Sequence, residues 1–329
     1  MKRLYLTTEV CMSDPVLKSK ALGLMYGLLA GDVLGSAVEG LEHNERAERL
    51  GVELTEIMLQ NPWQTLAGQA SDSGELAVLL CRLLAHYGEY QEEGAWQAYE
   101  YWLRTEPFAV PEELKCALLS APNEDSVACT ALARVAPVAL MVPQQSLPQL
   151  AAWAMADTAL THPNMLCQQI SGLYVMALGH LLENDCSADD LYLLLKDWAS
   201  QLKVDKRIIR VIDEALFVPP ADFEQPDSQA LICFQNAIWQ LLYAQDYLDA
   251  MFDTLKRGGD TANNASVTGA LLGACYGVAE VPQLLRNAIT HCRPLKGQFG
   301  VRQPRPECCW ANEVDYLTEQ ILTGKKKPV

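Results

Sequence analysis

The sequence predicts an all-α protein of ten or more helices, and three observations support this prediction. Almost every segment with a readable hydrophobic period follows the helical one, the alternation typical of strands is missing, and two apolar stretches carry glycine at every fourth position. One helix has a single leucine stripe at helical spacing, formed by Leu76, Leu79, Leu80, Leu83 and Leu84. Helical periodicity recurs more loosely at residues 94–104, 148–159, 165–182, 188–201, 205–216, 228–256 and 312–323.

The length of 329 residues is compatible with one large hydrophobic core, and we predict a single domain over residues 1–329. Clusters of Pro, Asn and Asp mark the loops between the helices. The acidic, proline-rich segment 218–228 is the best candidate for a surface loop. The chain ends in a short basic stretch, and residues 324–329 are predicted to form a flexible tail.

Composition argues against several classes of partner. The formal net charge of −16 would repel a phosphate backbone, so we expect no nucleic-acid partner. No uninterrupted apolar run approaches the roughly 20 residues that cross a bilayer, so we expect no membrane partner. The eleven cysteines are irregularly spaced without a CxxC pair, which favours reduced thiols and a cytoplasmic protein. The adjacent Cys308 and Cys309 receive no role from the sequence.

The two glycine-rich helices are expected to lie side by side at the centre of the fold. Glycine costs roughly 1 kcal/mol at each interior helix position, so a stripe of glycines has to be offset by a favourable contact. Close packing of two backbones is the simplest such contact. The stripes consist of Gly23, Gly27, Gly31 and Gly35 in the first helix, and of Gly269, Gly273 and Gly277 in the second.

Acidic side chains lie at the ends of these helices and at the start of the leucine helix. Asp72 is predicted to be an N-cap, with Glu75 completing a capping box, and Asp260 precedes the second glycine helix. Glu39 follows the first glycine helix. Each residue alone suits a cap or a solvated helix end. If the glycine helices are adjacent, however, Glu39 and Asp260 approach one point, where carboxylates are typical ligands of Mg²⁺.

Five motifs in order give the chain a family resemblance. They are "GLMYGLLAGDVLGSAVE" (23–39), "SDSG" (71–74), "ALARVAPVAL" (131–140), "ALTHPN" (159–164) and "GGDTANNASVTGALLGACYG" (258–277). From about residue 18 to about residue 290 the chain resembles the ADP-ribosylglycohydrolases, a group that includes the dinitrogen-reductase-activating glycohydrolases. Each motif alone is weak, but the five together at these distances are specific.

The resemblance implies an all-α fold and a two-magnesium centre that hydrolyses the bond between ADP-ribose and a protein side chain or small leaving group. It places Glu39 near the water and the scissile bond, as the catalytic residue. The metal ligands implied by position are Ser71, Asp72 and Asp260. The implied substrate-binding residues are His162 and Asn264. A core role for His162 and a capping role for Asp260 remain open, and Arg134 is expected to be structural.

The chain departs from the family pattern at the proposed metal centre. Ser73 and Ala262 stand where the family has aspartate, and Gly74 and Asn263 stand where it has threonine. Four carboxylates thus become two, and Mg²⁺ prefers anionic oxygen ligands. We therefore expect weak binding of one ion, or loss of the metal, rather than a full pair.

Three functions are compatible with these residues. The first is hydrolysis of ADP-ribosylated protein or of a small ADP-ribosyl compound at an altered centre. The second is a pseudoenzyme that binds ADP-ribose or ADP-ribosylated protein without cleaving it. The third is a scaffold that occludes a protein partner such as an ADP-ribosylating toxin. Retention of Glu39, Asp72 and Asp260 favours the hydrolase.

Overall fold

The computed structural model describes residues 14–224 and 229–324. These residues contain sixteen α-helices and no strand, which confirms the predicted all-α class. The helices are α1 (Pro15–Ser36), α2 (His43–Leu50), α3 (Leu54–Leu59), α4 (Asp72–Tyr87), α5 (Glu92–Arg104), α6 (Glu112–Leu119), α7 (Thr130–Arg134), α8 (Leu147–Ala159), α9 (Met165–Glu183), α10 (Ala188–Gln201), α11 (Lys206–Glu214), α12 (Gln229–Tyr243), α13 (Tyr247–Arg257), α14 (Thr261–Tyr276), α15 (Gln283–His291) and α16 (Val314–Thr323).

The antiparallel pair α1 and α14 forms the centre of the fold, as the glycine stripes predict. A Cβ atom placed on Gly27 would lie 2.0 Å from the carbonyl oxygen of Gly269, and one on Gly31 would lie 2.1 Å from that of Ala265. No side chain fits in such gaps, so glycine is required for the backbones to approach this closely. Tyr247 of α13 donates a hydrogen bond of 2.8 Å to the Gly27 carbonyl and fixes a third helix against the pair.

Helix α9 packs beside this pair and against α8. By length and composition alone it is apolar enough to cross a membrane, yet 78% of its most apolar window is buried inside the protein. Its Tyr174 is buried and donates a hydrogen bond of 2.9 Å to the carbonyl of Val267 in α14. These contacts are typical of a core helix.

One local feature differs from the sequence-based expectations, and a second adds detail to them. The periodic stretch 228–256 is two helices, α12 and α13, because Asp246 caps a new start and accepts a hydrogen bond of 2.9 Å from the Asp249 amide. The segment 218–228 is partly anchored, since Phe223 is buried and its carbonyl lies where a Cβ of Gly259 would be. Residues 225–228 and 325–329, which include most of the predicted tail, lie outside the described residues.

Candidate active site

Three helix ends converge on one side of the molecule. The glycine contact continues to Gly35, where an added Cβ would lie 2.5 Å from the Cα atom of Ala262. The end of α1 therefore lies against the start of α14, and the Thr261 hydroxyl donates a hydrogen bond of 2.8 Å to the Gly35 carbonyl. This contact brings Glu39, just after α1, close to Asp260, just before α14.

A buried carboxylate fixes the start of α4 to α1. The Asp32 side chain is fully buried and accepts a hydrogen bond of 2.7 Å from the backbone amide of Ser71, and the Ser71 hydroxyl donates to its other oxygen. Burial raises the pKa of Asp32 to about 6, although the bonds from Ser71 oppose that shift. Asp32 is a site residue that sequence motifs did not single out, although a carboxylate inside an apolar helix indicates a specific role.

The converging ends line an open cleft of about 340 Å³. Among the described residues that line it, four are acidic and none is basic. Trp63 and Phe108 form an aromatic wall, with ring centroids 5.7 Å apart. The acidic lining residues are Glu39, Asp72, Glu113 and Asp260.

The acidic groups of the cleft raise one another's pKa values. Burial, and then the charge of Asp260, raise the pKa of Glu39 to about 7, while a hydrogen bond of 3.1 Å from the Trp63 indole opposes the shift. Burial and the charge of Glu39 raise the pKa of Asp72 well above its ordinary value, with smaller contributions from Asp32 and Asp260. The cleft therefore holds protons at a pH where surface carboxylates have lost theirs.

Asp260 is the N-cap of α14. Its carboxylate accepts hydrogen bonds of 3.2 Å from the Asn263 backbone amide and of 2.7 Å from the Asn263 side-chain amide. The Cys129 thiol lies 3.2 Å from the same carboxylate and donates to it. The capping role that the sequence left open is present, whereas the role of Asp260 as a metal ligand stays a prediction.

The positions that depart from the family pattern are bonded to one another. The Ser73 hydroxyl donates to the side-chain oxygen of Asn263, whose amide group in turn donates to Asp260 and, at 3.4 Å, to Thr130. Ala262 presents only a methyl group to the cleft. A neutral hydrogen-bonded network therefore links the starts of α4 and α14.

This arrangement does not fit a pair of magnesium ions. In the described part of the chain, no three His, Cys, Asp or Glu side chains form a group that could hold a metal ion. The Ser71 hydroxyl is directed at Asp32, and the Ser73 and Asn263 oxygens satisfy each other. Of the predicted metal ligands, only Asp72 and Asp260 line the cleft.

The two predicted substrate-binding residues lie in the core instead of the cleft. His162 is fully buried, its Nδ1 lies 2.8 Å from the Thr161 hydroxyl, and burial and the nearby Arg134 lower its pKa to about 3. Asn264 is 2% exposed. Neither lines the cleft, so the structure does not support their predicted contact with a substrate.

The capping box predicted at the start of α4 is wrong. Ser71 occupies the N-cap position, and Asp72 is the first residue of the helix. The Glu75 carboxylate points into the core, where it accepts hydrogen bonds from the Arg305 guanidinium at 2.8 Å and from the Trp102 indole at 2.7 Å. The ion pair with Arg305, which is distant in sequence, therefore replaces the predicted local capping interaction.

Arg134 is structural, in agreement with its expected role. The side chain is fully buried and forms an ion pair of 2.9 Å with Asp157, which is buried as well. The Tyr99 hydroxyl donates a further hydrogen bond of 2.7 Å to Asp157. Arg134 is therefore committed to the core and does not reach the cleft.

Comparison with known proteins agrees with this architecture. Residues 13–313 match the model of the ADP-ribosylglycohydrolase family. A protein of Acanthamoeba polyphaga mimivirus, provisionally named an ADP-ribosyl glycohydrolase, is 24% identical over 308 residues, covering 84% of this chain and 93% of the relative. The ADP-ribosyl-[dinitrogen reductase] glycohydrolase of Rhodospirillum rubrum is 23% identical over 282 residues, covering 82% of this chain and 90% of the relative.

The fold is shared with a solved structure as well. A chain from an ADP-ribosylglycohydrolase-related protein complex superposes with a TM-score of 0.73 at 20% identity, covering 93% of this chain and 98% of that chain. At this identity the likeness shows the fold alone. The family match, in contrast, spans nearly the whole length of the chain. The chain belongs to the ADP-ribosylglycohydrolase family.

Proposed function

We propose that the chain hydrolyses the bond between ADP-ribose and a protein side chain in the cleft of Glu39, Asp72 and Asp260. The observation that carries the proposal is the set of carboxylates that lines this cleft without a basic side chain among its described residues. Uncompensated carboxylates in a cleft cost stability, and perturbed titratable groups of this kind cluster at functional sites. Family membership supplies the substrate class.

Glu39 is the proposed general base. Its pKa is raised to about 7 by burial and by Asp260, so both protonation states are populated near neutral pH. A group with such a pKa accepts and returns protons efficiently at that pH. The hydrogen bond from Trp63 holds one carboxylate oxygen, which leaves the other free to take a proton from the attacking water.

The charge of the cleft favours a cationic leaving group. Four acidic side chains line it. A guanidinium can neutralise them in place of the protons that Glu39 and Asp72 hold, whereas a neutral hydroxyl cannot. We therefore infer that the side chain linked to the ribose is arginine rather than serine. The aromatic wall of Trp63 and Phe108 offers apolar faces to the rest of the ligand.

Magnesium is kept as a prediction, limited to one weakly bound ion. Asp72 and Asp260 would supply its carboxylate ligands, and a bound cation would supply charge neutralisation in the cleft. No step of the proposed reaction depends on it. Ser71 stays a predicted ligand, but it is less available to a metal ion than the two aspartates because its hydroxyl already donates to Asp32.

One observation favours a second candidate, binding of ADP-ribose without hydrolysis. The bond between Ser73 and Asn263, together with the methyl group of Ala262, replaces the charged groups that the family pattern places there. A cleft of this kind retains its shape while losing charge. The hydrolase remains the first candidate because Glu39 retains the raised pKa that proton transfer requires.

Turnover of ADP-ribosyl-arginine and ADP-ribosyl-serine peptides, with and without Mg²⁺, tests the proposal. We expect release of ADP-ribose from the arginine peptide and a roughly 10²- to 10⁴-fold slower reaction for Glu39→Gln. The matched control is Glu48→Gln, which makes the same change at an exposed carboxylate outside the cleft lining and should leave turnover unchanged. Calorimetric binding of ADP-ribose without turnover would establish the second candidate, and absence of both would overturn the assignment of the cleft.

A further inference from the structure

Cys308 and Cys309 are adjacent thiols of which solvent reaches one. Both belong to the short 3-10 turn Glu307–Cys309, and their sulfur atoms lie 3.9 Å apart. Cys308 is partly exposed and Cys309 is buried. We propose that the pair is a peroxide-sensitive dithiol, in which Cys308 is oxidised first and Cys309 then closes a disulfide with it. The proposal is independent of the function proposed for the cleft.

The Arg82 guanidinium, which also forms an ion pair of 2.6 Å with Glu313, and the Tyr101 hydroxyl lie beside Cys308. Arg82 donates from Nε to the Cys308 carbonyl at 2.8 Å and from Nη2 to the Trp310 carbonyl at 3.1 Å, so its guanidinium spans the turn. Hydrogen bonds from Cys309 and Tyr101 and the charge of Arg82 lower the pKa of the Cys308 thiol. A thiolate, not a thiol, is the nucleophile toward peroxide, and a partly exposed site beside a cation is typical of reactive cysteines.

Cys309 is suited to the second step. The hydrogen bond that it shares with Cys308, followed by burial, raises its pKa well above the ordinary value, so in the reduced protein it is a protonated thiol that peroxide does not attack. Oxidation removes the Cys308 thiolate that this hydrogen bond stabilises, so Cys309 can then release its proton as its sulfur attacks. It is 1% exposed, and Arg305 Nη2 lies 4.0 Å from its sulfur. Peroxide in solvent therefore meets Cys308 first, while Cys309 is already in place to attack the oxidised sulfur.

The chemistry balances with hydrogen peroxide as the oxidant. The Cys308 sulfur attacks one peroxide oxygen, an S–O bond forms, the O–O bond breaks, and the departing hydroxide leaves as water with the proton that the thiol had lost. The Cys309 sulfur then attacks the Cys308 sulfenic acid, the S–S bond forms, the S–O bond breaks, and the departing hydroxide takes the Cys309 proton. Two thiols are oxidised by two electrons, and one peroxide is reduced to two waters.

The product is expected to be readily reversible. Adjacent residues across a trans peptide have Cα atoms about 3.8 Å apart, whereas disulfides normally need roughly 4.4–6.8 Å. The bond between Cys308 and Cys309 is therefore strained, and strained disulfides are reduced more easily than relaxed ones. Such a bond suits a reversible modification and not a structural crosslink.

The other partly exposed thiols among the described residues, Cys116 and Cys275, lack this combination, and burial raises the pKa of Cys275. Cys129 and Cys233 also form a hydrogen-bonded pair, but both are fully buried, so peroxide cannot reach them. Cys116 is partly exposed, but its neighbour is the Glu112 carboxylate, at 3.4 Å, whose hydrogen bond raises the Cys116 pKa. Reaction with dilute peroxide should therefore be selective for the turn.

The test treats the full chain with a small excess of hydrogen peroxide and maps the products by mass spectrometry of peptides. We expect loss of two hydrogens from the peptide that contains Cys308 and Cys309, at least about tenfold faster than any change at Cys116. Dithiothreitol should restore the mass. In Cys309→Ser, a dimedone adduct of the sulfenic acid should form at Cys308, and in Cys308→Ser the fast reaction should disappear. Cys116→Ser is the matched control and should leave the reaction unchanged.

Three results would overturn the proposal. One is oxidation of Cys116 as fast as that of the turn. Another is unchanged formation of the two-hydrogen product in Cys308→Ser. The last is an unmodified turn in the natural chain after peroxide has oxidised other thiols. The natural chain decides the matter even if a serine variant fails to fold.

Discussion

Two groups of buried or partly buried carboxylates in this protein differ in whether a cation is paired with them. In the core, Asp157 pairs with Arg134 at 2.9 Å and Glu75 pairs with Arg305 at 2.8 Å, and all four side chains are almost completely enclosed. In the cleft, Glu39 and Asp72 lie near Asp260, and no cation is among the described lining residues. The fold pairs these two core carboxylates with buried arginines and leaves the cleft carboxylates without a cation.

This difference indicates which carboxylates serve stability and which serve function. A buried charge must be paired or neutralised, because the interior solvates it poorly. The core group meets that requirement within the chain. The cleft group can meet it only with protons, a metal ion or a cationic ligand, and all three depend on conditions that the chain does not control. Breaking a core pair should therefore lower stability under all conditions, whereas changes in the cleft should make stability depend on Mg²⁺ or on pH.

The largest effect is expected from breaking a core pair. Arg134→Met leaves Asp157 buried without its cation and should lower the free energy of unfolding by about 3–5 kcal/mol. Urea denaturation followed by circular dichroism measures it. The control is Arg207→Met, which breaks an exposed pair with Asp205 and should cost no more than about 1 kcal/mol. Equal losses in the two variants would contradict the special status of the core pair.

Adding carboxylates to the cleft should make the stability of the protein depend on Mg²⁺. The triple variant Ser73→Asp, Ala262→Asp, Asn263→Thr removes the neutral network and adds two carboxylates, so its stability without metal should fall. Mg²⁺ at a concentration about 100 times its Kd should then stabilise the folded state by about 2.7 kcal/mol. The melting temperature with Mg²⁺, compared with KCl at equal ionic strength, measures this effect. A magnesium-dependent shift of the same size in the natural chain would show that the neutral network already suffices.

The free energy of unfolding should depend on pH because of the cleft carboxylate Glu39. The pKa of Glu39 is raised from 4.5 to about 7, so the folded state holds a proton that the unfolded chain has lost. Its stabilising contribution is fully present below pH 4.5 and is lost as the pH rises through 7. The loss should be on the order of 3 kcal/mol and should be absent in Glu39→Gln.

Unfolding free energies of the natural chain and of Glu39→Gln between pH 4.5 and 8 provide the measurement. The difference between the two proteins isolates Glu39 from the other titrating groups. A difference that stays constant over this range, or that favours the natural chain more at higher pH, would show that Glu39 is not protonated in the folded state.

Local sequence patterns predicted much of the fold and the centre of the candidate site. The stripe that contains Gly27 predicted the contact with Gly269, because glycine at a repeated cost in a helix has few explanations other than close backbone packing. That contact in turn predicted the approach of Glu39 to Asp260. The break between α12 and α13 was missed, because periodicity alone does not reveal a cap inside a continuous apolar pattern.

Local sequence patterns do not reveal hydrogen-bond and ion-pair partners that are distant along the chain. Glu75 seemed to complete a local capping box, but it binds Arg305, 230 residues away. The sequence left His162 with two possible places, beside the substrate or in the core, and it lies buried beside Arg134. In each case the sequence shows a side chain with two possible uses, and only the packing of distant helices selects one.

The sequence by itself determined the helical class, the central glycine pair and the acidic character of the cleft, because these depend on periodicity, backbone sterics and residue type. Tertiary structure alone decided how the charges are compensated. It directed Asp32 to the start of α4, and it joined Ser73 to Asn263 across two helices. The physical reason is that hydrogen bonds and charge pairs act over a few ångströms, so their partners are set by where helices pack and not by their separation along the chain.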